Sequence, residues 1–294
     1  MINDLLLFLW MPPSASASRP PRLLGSAIPP SLKGRIVVRS IAMATDAAAA
    51  GMTVDADGPR PDGRMAAECR PTFLRTSAVT SGATGSAYGE FARTRVVVSV
   101  FGPRPRDRGA GGSNSDDPHG MDLDCHVHLP FEAEEEPTST TSAGPDRAEK
   151  EVLLAAKLRQ SLLPSIDQDK LAKTCVEVQC TILESDGSDV GPAVMCASFA
   201  LATSGIPLYG LVTYCTVGLH DGRVLLDPTG GELEACDAEV SVAYLGSRDQ
   251  VSFLDASGDW SGRSMTECVD TCVEGCRKMQ VLVRGALLNS RKEY

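Results

Sequence analysis

The clearest apolar pattern in the chain is a pair of short extended segments joined by a turn. The run from Val96 to Phe101 is β-branched and aromatic and too short for a helix, so it predicts a buried strand. Ser86 to Phe91 predicts its antiparallel partner, and Ala92 to Thr94 has the length of a tight turn between them. The breaker pair Gly102-Pro103 marks the expected end of the second strand. We therefore predict a hairpin in the middle of a sheet.

The remaining apolar runs predict strands and helices that alternate along the chain. In order, these are a strand at Asp122–Leu129, a helix at Arg147–Leu163, a strand at Thr174–Leu183, a helix at Gly191–Ser204, a hairpin at Leu211–Leu219 and Arg223–Leu226, a strand pair at Val240–Leu245 and Val251–Leu254, and a helix at Met265–Leu288. The first helix is expected to be amphipathic, to lie on the sheet and to end at Pro164, with apolar positions at Val152, Leu153, Ala156, Leu158, Leu162 and Leu163. The alternation predicts the α/β class, or α+β, with helices packed on mixed sheets in βαβ-type layers.

The length of 294 residues allows two domains, but the pattern of predicted strands and helices is better explained by one α/β domain with irregular terminal segments. We predict a folded domain at residues 58–290, a tail at 1–57 that is disordered or targeting-like, and a short C-terminal tail at 291–294. Residues 132–146, acidic and then rich in Ser and Thr, predict a flexible, solvated insertion. Residues 12–45 carry basic side chains without Asp or Glu, which is typical of an organellar transit peptide. The segment that begins at Met43 resembles an ordinary cytosolic start, and this interpretation is favoured over the transit peptide.

Charge and cysteine usage narrow the function classes. The net charge of −10 argues against a chain that binds RNA through bulk electrostatics, because that affinity comes from counterion release at many phosphates. Ten cysteines without a paired spacing indicate reduced thiols in the nucleus or cytosol. The apolar stretch Leu5–Trp10 is too short to cross a bilayer, so no membrane is expected.

Two clusters suggest metal chemistry, and each has a simpler interpretation. Cys268, Cys272 and Cys276 share one helix face, but structural zinc usually takes four ligands at shorter spacings, so buried core thiols are favoured. The strand segment Asp122–His128 places two Asp and two His on one side, where an exposed polar face is favoured over a metal site. The chain has no GxxxxGK[ST], HExxH or GxSxG motif, so the corresponding hydrolases gain no support. We expect no metal and no cofactor.

Several segments in one order resemble a known family. They are Arg60-Pro-Asp-Gly-Arg64 with Glu68 and Arg70, the hairpin with Gly85-Ser-Ala-Tyr and Phe101-Gly-Pro-Arg, Glu184-Ser-Asp-Gly-Ser188, Ala197–Leu208 ending in Gly-Ile-Pro, and Leu225-Leu-Asp-Pro-Thr229. Together they resemble the RNase PH family of phosphorolytic 3′ to 5′ exoribonucleases and their relatives in the RNA exosome ring. The resemblance covers roughly residues 60–290. It implies the RNase PH-like fold, similar to domain 2 of ribosomal protein S5.

The resemblance also identifies the positions that carry catalysis in active relatives, and here they are degenerate. Those relatives follow an Asp-Gly-Gly turn with a phosphate-binding Thr-Arg, where this chain has Asp189 and Val190. A carboxylate at contact distance from phosphate adds repulsion of about 1 kcal/mol even in water. Asp227 matches the first of two family carboxylates, but the second position is Leu233. Arg147 loosely matches an upstream family arginine, and one phosphate ligand is not enough, so we expect no catalytic residues.

Within the family, the pattern most resembles the plant form of the mRNA-transport-regulator-three type of exosome ring subunit. This implies a non-catalytic scaffold that supports 3′ to 5′ RNA processing and degradation, with other RNase PH-like subunits, S1/KH cap proteins and RNA as partners. Arg104, Arg106 and Arg108 are the candidate RNA-binding residues, although a solvated basic loop explains them equally well. The implied location is the nucleus, including the nucleolus, and the cytoplasm, with organellar targeting by residues 1–42 as the minority interpretation. An active phosphorolytic exoribonuclease is the alternative function, and an unrelated or organellar protein that shares the fold is a third.

Overall fold

A computed structural model describes residues 37–38, 60–79, 82–106, 120–130, 147–260 and 265–290. The predictions for the insertion at 132–146, for Arg108, for the C-terminal tail and for most of residues 1–57 lie outside these ranges. Among the described helices, none has both the length and the apolar character needed to cross a bilayer.

Two sheets form the framework of the fold. The first has six strands in the order β1-β2-β3-β4-β6-β5, and the second has four in the order β10-β9-β7-β8. The strands of the first sheet are β1 Val37–Val38, β2 Thr72–Thr76, β3 Gly85–Phe91, β4 Thr94–Pro105, β5 Asp122–His128 and β6 Thr174–Glu184. Those of the second are β7 Val212–His220, β8 Arg223–Leu226, β9 Ala238–Leu245 and β10 Gln250–Gly258. All neighbouring strands are antiparallel except β5 and β6, so the first sheet is mixed.

The helices pack on the two sheets, and the buried apolar residues form two clusters. They are α1 Arg147–Leu162, α2 Val190–Thr203, α3 Gly230–Glu234 and α4 Met265–Ser290. Helix α2 is mostly Ala, Val and other apolar residues, and it packs on β3 and β4 on one side and on β7 on the other. Because α4 covers the opposite face of β7, eight consecutive residues of that strand are buried. The predicted fold class, mixed sheets with packed helices, is confirmed.

Three features differ from the sequence prediction. Strand β4 does not end at Gly102-Pro103 but continues through a register shift to Pro105. Val152 and Leu153 are 69% and 56% exposed, because at 3.6 residues per turn they fall outside the buried stripe that contains Leu158 and Leu162. The sequence prediction also missed β2, the short helix α3, and β1, which lies within the predicted tail.

Candidate active site

Two turns that are far apart in sequence lie against each other where the family resemblance puts the active site. One follows β6 and contains Asp186 and Gly187, and the other follows β8 and contains Asp227 and Gly230. The Gly230 N–H donates to the Asp186 carbonyl at 2.9 Å. A Cβ atom on Gly230 would lie 2.1 Å from that carbonyl oxygen, and Gly187 has φ +93°. Only glycine permits this approach of the two backbones.

The guanidinium of Arg70 fills the space between the two turns. Its Nη2 lies 2.8 Å from Asp227 Oδ1, and its Nη1 lies 3.0 Å from Asp186 Oδ1. The same side chain donates to the carbonyl and hydroxyl of Ser188. The Arg70 backbone N–H donates to the other oxygen of Asp227 at 2.7 Å. Arg70 is only 3% exposed, so one buried cation bridges two carboxylates from opposite turns.

The electrostatics of Asp227 follow from this bridge. Burial alone would raise the pKa of Asp227, but the charge and hydrogen bonds of Arg70, together with the charge of Arg64, hold that pKa below its usual range. Conversely, burial lowers the pKa of Arg70, and Asp227 and Asp186 more than offset this effect. Asp227 also has φ +49°, a left-handed conformation that Asp and Asn tolerate better than other non-glycine residues. The carboxylate is therefore charged and fully engaged.

Two further arginines, Arg60 and Arg64, form hydrogen bonds with the turn that follows β8 and with the helix after it. Arg60 forms a two-point ion pair with Glu232, with N–O distances of 2.9 and 2.8 Å. Arg64 donates to the Asp227 carbonyl at 3.0 Å, and one of its buried nitrogens, Nη2, has no hydrogen-bond partner among the described residues. Glu232 also accepts from the Thr229 N–H, as in a capping box. The segment around Leu233 forms α3, and within it the Glu232 side chain points back to Arg60.

The phosphate-binding positions of active relatives hold a carboxylate here. Asp189 is the residue before α2 and accepts from the Ser185 hydroxyl at 2.9 and 2.7 Å. Its negative charge lies at the positive end of the helix dipole, which is the place where an anionic ligand would otherwise bind. Val190 begins the helix and carries no donor on its side chain. Arg147 begins α1, where it donates to the Leu129 carbonyl and to Glu151.

Two of the three candidate RNA-binding arginines are described, and both face acidic residues. Arg104 lies 3.8 Å from Glu177 and 5.6 Å from the centre of the Phe101 ring, and its side chain is 61% exposed. Arg106 Nη2 lies 3.8 Å from Asp122 Oδ2, and its side chain is only 16% exposed. Of these two, only Arg104 offers its guanidinium broadly to solvent.

The two candidate metal clusters have different environments. Cys268, Cys272 and Cys276 are fully buried in the core of the second sheet, where burial raises the pKa of Cys272, so the core interpretation is confirmed. On β5, His126 and His128 are exposed as expected. Asp122, however, is buried, because it lies beside Arg106 at the base of the strand. Among the described residues, no group of three His, Cys, Asp or Glu side chains is arranged to hold a metal ion.

The sequence reasoning missed the central role of Arg70 and Asp186. Both stood in segments that carried the family resemblance, but neither was assigned a function. The Thr229-x-x-Glu232 spacing was an available signal for α3, since it is a capping-box pattern.

Comparisons with known proteins agree with this geometry. The profile described as "3′ exoribonuclease family, domain 1" matches residues 68–207, and the profile for domain 2 of the same family matches residues 210–275. The exosome complex component RRP41-like of Arabidopsis thaliana is 34% identical over 236 residues, covering 80% of this chain and 87% of the relative.

Two solved structures share the fold. Rice (Oryza sativa) Rrp46 superposes with a TM-score of 0.64 at 20% identity, over 78% of this chain and all of the rice chain. A chain of the Archaeoglobus fulgidus exosome with RNA bound to the active site superposes with a TM-score of 0.58 at 21% identity, over 76% of this chain and 92% of the archaeal chain. The family profiles and the plant relative together establish that this chain belongs to the 3′ exoribonuclease (RNase PH) family.

Proposed function

We propose that this chain is a non-catalytic RNase PH-like subunit of the RNA exosome ring that supports 3′ to 5′ RNA processing and degradation as a scaffold. The observation that carries the proposal is the Arg70 bridge. Of the two paired family carboxylates, this chain has only Asp227, and both of its carboxylate oxygens accept hydrogen bonds from Arg70. It is therefore poorly placed to manage a proton or a metal ion at a leaving ribose.

The phosphate side of the site supports the same conclusion. Phosphorolysis needs cationic and hydroxyl donors around inorganic phosphate. Here Asp189 lies directly before the first residue of α2. The nearby cation, Arg70, forms ion pairs with two carboxylates, those of Asp186 and Asp227. A phosphate dianion would meet a negative charge and no unengaged guanidinium among Arg60, Arg70 and Arg147.

The exposed apolar side chains on α1 favour assembly. Val152 and Leu153 are adjacent and more than half exposed, and exposed apolar patches often mark protein interfaces. We propose that the partners are other RNase PH-like exosome subunits in a ring closed by heterologous contacts, with S1/KH proteins as the cap. The relatives carry the names Rrp41-like and Rrp46, and the mRNA-transport-regulator-three type stays a prediction.

RNA contact is proposed to be local and to fall mainly on Arg104. It is the more exposed of the two described arginines, and with 61% of its side chain exposed it is accessible to a phosphate group. With a chain charge of −10, most of the RNA affinity of the ring would come from its other members. The proposed location is the nucleus, including the nucleolus, and the cytoplasm.

An RNA degradation assay tests the catalytic part of the proposal. The purified chain is incubated with a 5′-labelled single-stranded RNA, with and without inorganic phosphate, beside a phosphorolytic member of the family as the positive control. We expect no shortening of the RNA and no release of nucleoside diphosphates. Phosphate-dependent release of nucleoside diphosphates would instead identify an active exoribonuclease.

Co-expression tests the scaffold part. The chain is produced with RNase PH-fold exosome subunits from the same organism and analysed by size exclusion. Stable co-elution is expected. A chain that stays monomeric with every such subunit would contradict the ring assignment, whatever its catalytic behaviour.

A further inference from the structure

The four outer edges of the two sheets are not equally protected. An exposed edge presents unpaired backbone N–H and C=O groups, and proteins usually shorten, charge or cover such edges. In strand β1, the structure describes two residues, Val37 and Val38. Strand β8 has four, and its last residue, Leu226, is bonded through its N–H to the Ala66 carbonyl and through its carbonyl to Arg60.

The β5 edge is covered by side chains of α1. Arg159 donates to the Leu123 carbonyl at 3.0 Å, and Glu151 accepts from the Leu129 N–H at 3.0 Å. Arg147 donates to the Leu129 carbonyl. Both ends of this edge are therefore closed within the chain itself.

Strand β10 has none of these protections. It has nine residues, which corresponds to an edge about 30 Å long, and β9 is the one strand that pairs with it among the described strands. Among the described residues, no group outside β9 hydrogen-bonds to its backbone. It contains no proline, and a register shift affects only its first residues, between Val251 and Phe253.

The side chains of β10 also favour a dry contact. Val251 and Leu254 are each 44% exposed. The one charged residue of the strand, Asp255, is already paired with Lys157 of α1 at 2.5 Å. Because its exposed apolar side chains carry no charge and Asp255 is already paired, β10 has little electrostatic repulsion for another strand.

We infer that the β10 edge pairs with an edge strand of a different protein subunit and continues the four-stranded sheet into that neighbour. The inference rests on the proposed function, which supplies a neighbouring subunit. Charge argues against a second copy of this chain, because each copy carries −10. The end of the strand at Gly258 is flanked by Asp237, Glu239 and Asp259, so the matching strand should have basic residues beside it.

Backbone hydrogen exchange in the reconstituted complex tests this inference. Exchange of residues 250–258 is measured by mass spectrometry in the isolated chain and after assembly with RNase PH-fold exosome subunits. We expect slower exchange of this segment in the complex. A complex that forms while residues 250–258 exchange as fast as before overturns the inference and leaves the proposed function intact, whereas no complex with any such subunit removes both.

A matched pair of variants gives a second readout. Val251→Lys with Leu254→Lys puts two cations on the edge at half-exposed positions, and Val281→Lys makes the same change on α4, where the side chain is 71% exposed. The double variant should bind its neighbour about tenfold more weakly or worse, the scale of losing a well-packed interface side chain. Val281→Lys should bind as the parent chain does. Equal binding by all three proteins overturns the inference, as does an isolated parent chain that dimerises through residues 250–258.

Discussion

The site around Arg70, between the two turns, and the base of β5 around Arg106 each place an aspartate beside an arginine, but with opposite electrostatic results. At the first site, Asp227 lies 2.8 Å from Arg70, and the pKa of Asp227 is lowered. At the base of β5, Arg106 lies 3.8 Å from Asp122, and one oxygen of Asp122 has no hydrogen-bond partner among the described residues.

The pKa of Asp122 is raised, first by burial and then by the charge of Asp124, which Arg106 and Arg159 do not offset. A buried carboxylate thus stabilises the fold only when its hydrogen bonds are complete. The comparison implies that the charged form of Asp227 stabilises the fold and that the charged form of Asp122 destabilises it.

The largest effect is expected from Arg70→Met, which keeps much of the side-chain volume and removes the charge. It would leave Asp186 and Asp227, whose side chains are only 9% and 18% exposed, without the cation they share and lower the free energy of unfolding by about 3–5 kcal/mol. Urea unfolding followed by circular dichroism measures the loss. The matched control is Arg95→Met, because Arg95 pairs with Glu184 at 2.6 Å but both side chains are about half exposed. The control should lose less than about 1 kcal/mol, and equal losses in the two variants would refute the importance of burial.

Asp227→Asn isolates the charge of that residue, because asparagine also tolerates the left-handed backbone. We expect a loss of about 1.5–3 kcal/mol at pH 7, the scale of hydrogen bonds to charged groups. The folded-state pKa is lowered, so the stabilisation is present above the unfolded pKa of about 3.9 and is lost as the pH falls through the folded-state value. The difference in unfolding free energy between the two proteins should therefore narrow as the pH falls below about 3.9. A constant gap between the two proteins would mean that the charge does not act.

Asp122→Asn should act in the opposite direction. The raised pKa means that the charged form of Asp122 costs stability at neutral pH, and this cost disappears as the pH falls below the folded-state value. We expect a gain of about 0.5 kcal/mol at pH 7, at the low end of single-substitution effects. Thermal unfolding at pH 7 and pH 4 measures it, with a smaller difference expected at pH 4. Destabilisation at pH 7 would show that Arg106 satisfies Asp122 after all.

The smallest effect concerns RNA. Arg104→Ala should weaken RNA binding by the assembled ring and lower the slope of log affinity against log salt by about 1, whereas Arg106→Ala should leave both nearly unchanged. Fluorescence anisotropy at several salt concentrations separates the two variants. Equal weakening by both would place Arg106 in the RNA contact together with Arg104.

Much of the fold could be predicted from apolar periodicity. The hairpin of β3 and β4, the helix α2 and the strands of the second sheet were confirmed with small shifts at their ends. The errors had local causes. The paired glycines before Glu232 obscured α3, and Gly102-Pro103 suggested a stop that the neighbouring strand β6 overrides by continuing to pair with Arg104 and Pro105.

The site was less predictable, because its partners are distant in the chain. Arg70 is 157 residues from Asp227 and 116 residues from Asp186. The spacing of apolar residues along the chain gives no information about contacts between residues so far apart in sequence. The sequence did indicate what the site lacks, since Asp189, Val190 and Leu233 are visible without coordinates. What occupies the site instead required the structure.

Strand β7 has a consequence for how the molecule comes apart. It begins just after the boundary between the residues matched by the two family profiles. Helix α2, which belongs to the domain 1 match, packs on one face of β7. Helix α4, which begins near the end of the domain 2 match, packs on the other face. Unfolding of the first half would remove α2 and expose one apolar face of β7, so the loss of one half exposes buried surface of the other. The described core should therefore unfold in a single cooperative transition, with the amide protons of β7 among the last to exchange with solvent.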